Sequence, residues 1–385
     1  MIGASGYSIV DYGGMIDCEP RMGIYAQALE RAISPGCTVI DIGAGFGVFA
    51  LLACQYGAGR VIAIEPDSSI ELLRELARDN GCADRIEVVR DISTNFTPER
   101  KADVIVSDLR GNVSLFGGHI PTIVDARERL LADNGSLLPM RDTLRIALVH
   151  TPKEYRTCHR PWLENDYGID LSAGHRFAVN DSDKVFLDPE ALVSEAAELA
   201  TLDYRTICDP NLDQTLKLVA ALGSTVHGLL LWFDAEIAEG LTYSNAPGQP
   251  HLVYEQKFLP FERPIDLKAG DRVEARIRAR LVDNQYIWSW DSVATAAQDD
   301  AQIAAFRQSS FKSRIFVPDH LASISSRHVP AATAAIAIDR DCLALVGEGR
   351  DLETIAKALI DRHPAHFASL QAALDHVAKL MLRYA

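Results

Sequence analysis

The sequence predicts an α/β domain built on a doubly wound parallel sheet, followed by a β-rich region and a mainly helical tail. Three observations carry this. An apolar run, Thr38 to Ile42, spills into the alternating glycines Gly43, Gly45 and Gly47; a helical pattern and a second apolar run, Arg60 to Ile64, follow and close on Glu65. Apolar runs then alternate with helical spacing to about residue 145, the signature of a parallel sheet covered on both faces. From about Leu144 the texture changes to short β runs separated by Gly, Pro and Asn, as in a barrel or sandwich.

The 385 residues leave room for two or three domains, and 48 % hydrophobic with 24 % charged residues is ordinary for a soluble globular chain. A net charge of −15 argues against nucleic acid or an anionic membrane as partner. No apolar stretch reaches membrane-spanning length, and no basic segment leads a hydrophobic one at the N-terminus. Seven cysteines without a CxxC predict reduced thiols, a cytoplasmic protein and no metal site; Cys18, Cys37, Cys54 and Cys82 read as small core residues.

Each element has a local reason. Tyr25 to Ile33 has helical spacing, stopped by Ser34-Pro35-Gly36. The glycines suit a backbone that approaches a ligand too closely for a Cβ, and an acid ending the next strand can take both hydroxyls of a ribose. The spacing Gly-x-Gly-x-Gly is not the pyrophosphate pattern, and no Lys-Ser or Lys-Thr follows to cradle a phosphate. Asp67 or Ser68 caps a helix that Asn80-Gly81 ends. Ile86 to Val89 is a third strand, and Asp103 to Asp108 a fourth, ending where a doubly wound sheet places its chemistry. Ile123 to Leu131 reads as a helix, Ala132 to Gly135 as a turn, and Leu137-Leu138-Pro139 as the start of another strand.

The glycine turn with Glu65 resembles motif I of the class I S-adenosylmethionine (SAM) methyltransferases. The resemblance implies a Rossmann-like domain with SAM as cofactor, bound around Asp41, Gly43, Gly45, Gly47, Glu65 and Pro66. The pattern Tyr12…Met15-Ile16-x-x-x-x-Arg21-x-x-x-Tyr25 is similar to the N-terminal signature of the protein arginine methyltransferases. It implies that this segment folds over the cofactor, with Met15 beside it and Arg21 on its methionine carboxylate. Asp91-Ile92 then falls at the adenine corner, and Asp108 borders the cofactor.

The resemblance continues through Tyr167 to Ser172, Asp188 to Val193, His227 to Asp234, Tyr243 to Pro247 and Pro264 to Asp271. It implies a β-barrel domain with a dimerisation arm over about 175–187, hence a homodimer. Trp232, Trp288 and Trp290 read as barrel core. The domain expectation is a cap at 1–34, a SAM domain at 35–145, a barrel at 146–296 and a C-terminal module at 297–385. In the last, Gln298 to Arg307 reads as a polar helix, Ala334 to Ile338 as a short strand, and helices follow from Asp351 and Phe367. That order is similar to small winged-helix peptide readers; a plain helical appendage is the other reading.

The acceptor residues depart from the resemblance. The family holds its cationic guanidinium with two glutamates on one loop and a Thr-His-Trp loop from the barrel. Here Asp108 falls on the first glutamate, Gly117 on the second, and Leu252-Val253-Tyr254 lacks the histidine. Arg110 stands where the family has an apolar residue, and its planar fork suits a carboxylate. The leading expectation is therefore a SAM-dependent transferase that O-methylates a carboxylate of a peptide or peptide-like product. In it Arg110 orients the acceptor, Asp108 flanks it, and His119 is a second contact. Alternatively Arg110 pairs with an acid and only shapes the loop, and His119 is a core residue. Two other functions stand beside it: N-methylation of an arginine or another amine with Asp108 as clamp, and a non-catalytic SAM-binding regulator.

Overall fold

A computed structural model describes residues 7–384, so the first six residues of the expected cap lie outside it. The chain forms two compact units, residues 1–315 and 316–385.

In the first unit, α1 (Ile9–Asp17) starts with a capping box in which Ser8 and Asp11 satisfy each other's backbone. Pro20, tolerated in a first turn, opens α2 (Glu19–Ala32). Five parallel strands follow: β1 (Thr38–Ile42), β2 (Arg60–Ile64), β3 (Ile86–Val89), β4 (Ala102–Ser107) and β5 (Leu131–Leu138). Their order is β3-β2-β1-β4-β5, with β1 fully buried at the centre. The crossovers run through α3 (Val48–Gln55), α4 (Glu71–Asp79) and α5 (His119–Asp125). Asp67 caps the turn before α4 through the Ser69 amide, and Gly81 ends the helix at φ +66°. The helix read at 123–131 begins earlier, at His119, and Ala132 to Gly135 belongs to β5. The β4–β5 register jumps across those residues, from Ala102↔Leu131 to Val104↔Ser136, so the expected turn is a bulge within a strand.

The β-rich region forms two antiparallel sheets. The strands are β6 (Arg141–Val149), β7 (Asp183–Val185), β8 (Ala197–Asp203), β9 (Leu212–Val219), β10 (Ser224–Ala238), β11 (Leu241–Ser244), β12 (Gln256–Leu267), β13 (Arg272–Val282), β14 (Gln285–Thr295) and β15 (Gln302–Ser309). One sheet runs β7-β12-β10-β6-β8 with β11 on β10, the other β15-β14-β13-β9. No ladder among the described residues closes them into the expected barrel. They are joined instead by packing: Trp288 and Trp290 are buried between them, and Trp290 donates its indole N–H to the Pro260 carbonyl at 2.9 Å. Between β6 and β7 the chain makes α6 (Pro152–Leu163) and α7 (Ser172–Ala178).

Two tail readings change. Residues 302–309 form β15, paired with β14, rather than continuing a helix; the alternating burial of Ala304, Phe306 and Gln308 supplies the period-two face. In the second unit Ala334–Gly347 is a helix (α9), capped by Thr333, not a strand. With α8 (Pro318–Ser323), α10 (Leu352–Arg362) and α11 (Leu370–Met381) it makes a wholly helical module among the described residues. Ile338, Cys342, Leu345, Ile355, Leu359, Val377 and Leu380 form its core. The winged-helix reading loses the strand it required.

Candidate active site

A cleft of about 450 Å³ opens at the C-terminal ends of the parallel strands, the place a doubly wound sheet offers a ligand. Gly43 and Gly45 form its floor at φ +72° and +56°. A Cβ on Gly45 would meet the Tyr12 ring at 2.8 Å, so the glycine lets α1 fold down over the turn. The Tyr12 hydroxyl reaches Ser69 Oγ at 3.1 Å and pins that helix across the cleft mouth.

Glu65 stands at the end of β2, 7 % exposed, and accepts from the Gly45 amide at 3.2 Å and the Asp67 amide at 2.9 Å. Burial raises its carboxyl above the usual range. Each carboxylate oxygen keeps a lone pair for a hydroxyl donor. Met15, Arg21, Pro66, Asp91, Ile92 and Asp108 line the same cleft. Asp41 and Gly47 do not. Asp41 is buried beneath the turn, accepts from the Ala50 amide at 3.1 Å, and is pushed up to about 7 by burial. Gly47 is the left-handed residue that starts α3. Both shape the turn from behind.

At the opposite wall Arg21 Nε donates to Asp108 Oδ2 at 2.5 Å, and its Nη1 to the Met15 carbonyl at 3.0 Å. The Tyr254 hydroxyl donates to the same Asp108 oxygen at 2.6 Å. Asp108 Oδ1 is buried with no hydrogen-bond partner among the described residues. Burial would raise the Asp108 carboxyl, but the guanidinium groups of Arg21 and Arg110 overcome it and hold it low. Asp108 is therefore an ionised acid whose Oδ2 takes two donors and whose Oδ1 faces only the Arg110 Nε, at 3.3 Å.

Arg110 is placed elsewhere. It is fully buried and outside the cleft, with Nη1 donating to Asp142 at 3.0 Å and Nη2 to the Tyr25 hydroxyl at 3.0 Å. Its Nε lies 3.3 Å from Asp108 Oδ1. Asp142, on β6, also accepts from Tyr204 at 2.5 Å and from Ser114. No part of the fork is left for an acceptor; Arg110 braces the loop after β4 against α2 and the antiparallel sheet. His119 is corrected likewise. It is 2 % exposed, edge-on to Tyr204, with both ring nitrogens unpartnered among the described residues. Burial, then the Arg110 charge, lowers it to about 3. An unfolded histidine protonates near 6.5, so below that pH the unfolded state binds the extra proton, and stability falls from about pH 6.5 towards 3. His119→Leu is expected to keep neutral-pH turnover within about twofold and to lose less melting temperature than wild type between about pH 7 and 5; scanning fluorimetry across pH checks this.

Sequence reasoning missed Lys184 and Glu255, and it quoted Tyr12 and Tyr254 without giving either a role; all four line the cleft. Gly117, on the second glutamate's position, lies outside it at φ +46°. Glu255, half-buried just before β12, brings a second carboxylate to the wall from a different loop.

Residues 23–132 match the family model of ribosomal protein L11 methyltransferase, and residues 141–294 that of the arginine methyltransferase oligomerization subdomain. An arginine N(omega)-methyltransferase of Streptomyces achromogenes subsp. streptozoticus is 33 % identical over 271 residues, covering 68 % of this chain and 74 % of the relative. The chain belongs to the protein arginine methyltransferase family. It is thus a SAM-dependent methyltransferase. Protein arginine N-methyltransferase 1 of Dictyostelium discoideum, also similar, is 25 % identical over 67 % of this chain and 77 % of its own length. Among solved structures, the Trypanosoma brucei PRMT1 enzyme–prozyme heterotetrameric complex with AdoHcy superposes with a TM-score of 0.71 at 21 % identity. It covers 77 % of this chain and 96 % of that one. Arabidopsis thaliana protein arginine methyltransferase 10 gives 0.69 at 18 % identity, over 78 % and 97 %. Both show the shared fold. The family's cofactor fits the residues present: positive-φ glycines with room only for backbone, a buried acid at the end of β2, and a buried arginine opposite.

Proposed function

We propose that the protein transfers a methyl group from SAM to a guanidinium nitrogen, the acceptor being arginine or a close analogue. The observation that carries this is the state of Asp108: an ionised carboxylate on the cleft wall, its Oδ1 engaged only by the Arg110 Nε at 3.3 Å. A buried carboxylate that keeps a lone pair suits a cationic N–H donor and repels a carboxylate acceptor. The carboxylate O-methylation expected from the sequence rested on Arg110, whose fork is already filled; the relatives named above are arginine methyltransferases.

SAM, when bound, supplies a methyl on a positively charged sulfur. Glu65 and the glycine turn hold the ribose side, and Arg21 faces the amino-acid side. Asp108 accepts an N–H of the guanidinium through Oδ1 and fixes the plane of the nucleophile, so that positioning does most of the catalytic work. Tyr254 and Arg21 fix Asp108 in turn. The methylated nitrogen must shed one proton. Asp108, held low by two arginines, is a poor resting place for it; Glu255, on the same wall and in partial contact with solvent, receives it and passes it to water. Lysine tests the reading, since it matches arginine in charge but lacks the planar fork. Arginine is expected to be methylated and lysine, at equal concentration, to give less than about a hundredth of that rate.

We also propose a homodimer formed through α6 and α7. Trp162, Leu163, Tyr167 and Ile169 stand exposed on this excursion, with Tyr167 84 % exposed, and the oligomerization-subdomain match spans it. Leu163→Asp with Tyr167→Asp is expected to convert a dimer to a monomer at micromolar concentration in analytical ultracentrifugation. A wild-type monomer in the same experiment removes the proposal.

A further inference from the structure

Lys184 occupies the middle of β7 and lines the cleft beside Tyr254 and Glu255. Directly opposite it in the antiparallel register is Lys257 on β12. Residues paired in this way share a face, and like charges so placed repel. Neither lysine makes an ion pair among the described residues. Lys257 lies over the Trp288 ring, its ammonium 5.3 Å from the centroid. Burial above all lowers it to about 8, against the opposing pull of Asp181 and with a smaller push from Lys184. Two unpaired ammonium groups on one face, one partly desolvated and one at the cleft wall, form a place that an anion would stabilise.

The wall also carries two acids, Asp108, which Arg21 holds, and Glu255. A purely cationic acceptor, such as an arginine inside a polypeptide, would meet Lys184 with nothing to offer it. A free guanidino amino acid carries the matching pair: a guanidinium for Asp108 and an α-carboxylate for the lysines. Resting on the guanidinium-methylation reading above, we infer that Lys184, backed by Lys257, recognises the α-carboxylate of the acceptor, which makes the acceptor a free guanidino acid. The carboxylate is a handle here; the methyl goes to the guanidinium nitrogen.

The test compares L-arginine, agmatine (the same guanidinium without the carboxylate) and a capped tripeptide with arginine at its centre. Initial rates are measured for wild type, Lys184→Ala and Lys184→Arg. Lys184 is exposed, so both variants are expected to fold. In wild type the KM for agmatine and for the tripeptide should exceed that for L-arginine by about tenfold or more, the worth of one charge-assisted contact. Lys184→Ala should raise the L-arginine KM by a similar factor and leave the agmatine KM unchanged, and Lys184→Arg should restore most of it. Equal KM values for arginine and agmatine in wild type, an equal loss for both in Lys184→Ala, or a tripeptide preferred to the free amino acid would each overturn the inference and leave guanidinium methylation standing. Turnover of none of the three overturns guanidinium methylation, and the inference with it.

Discussion

Asp108→Asn is expected to lower kcat by about a thousandfold or more while SAM still binds. The substitution keeps the size of the side chain and its place at the end of β4, but it replaces an ionised acceptor by a neutral amide. A guanidinium nitrogen then loses the charge that orients it, and removal of one preorganised electrostatic contact typically costs ~10²–10³ in rate. Here the same change also releases Arg21, whose Nε donates to Asp108 at 2.5 Å. Unpairing a buried ion costs ~3–5 kcal/mol of stability, so the variant should also melt earlier. Calorimetric titration with SAM separates the two effects, since a folded variant that binds cofactor and does not turn over places the defect at the acceptor. A kcat within tenfold of wild type would show that Asp108 does not hold the acceptor. The pH dependence has a definite sign. Asp108 is depressed by Arg21 and Arg110, so its contribution to stability is full above the unfolded carboxyl value near 3.9 and is lost only as pH falls through the lower folded value. Its ionisation therefore sets no limb of the rate profile near neutrality.

Arg110→Met carries the second large effect, and it falls on stability rather than recognition. The substitution leaves Asp142 fully buried without its cation, and loss of one partner of a buried pair costs ~3–5 kcal/mol. For a unit of this size that is a fall in melting temperature of roughly 5–15 °C. Adding Asp142→Leu should recover at least half of the loss, because an apolar pair of similar volume replaces a buried ion pair at little net cost. The recovery stays incomplete because Tyr204 and Ser114 also donate to Asp142. The acceptor KM of the double variant should stay within about threefold of wild type. A large rise in KM with an unchanged melting temperature would return Arg110 to the role of acceptor ligand.

The difference between those two residues shows what could be read from the chain. Gly43, Gly45, Glu65 and Arg21 lie on local patterns with a physical reason, a strand that must turn without a Cβ and an acid at its neighbour's end, and all of them line the cleft. Arg110 was legible as a charge in an apolar place but not as a satisfied one. Its partner Asp142 is 32 positions away and becomes a neighbour only when β6 packs against the loop. Lys184 was illegible for the same reason, since the β7–β12 pairing carries it to the wall, and Glu255 sits on the loop that leads into β12. The element readings that failed were short and ambiguous. The alanine- and glutamine-rich stretch before Arg307 has helical propensity, yet its pairing with β14 decides the outcome. Ala334 to Ile338 alternates like a strand but sits behind the Thr333 cap of a helix. Tertiary context overrode weak local preference in both cases.

The central claim is that a guanidinium receives the methyl group. Its most direct test is mass spectrometry of purified protein incubated with SAM and L-arginine, the product being fragmented before and after mild alkali. A gain of one methyl that survives alkali and fragments on the guanidino nitrogen is the expected result. A methyl group that alkali removes would be an ester, and would contradict it.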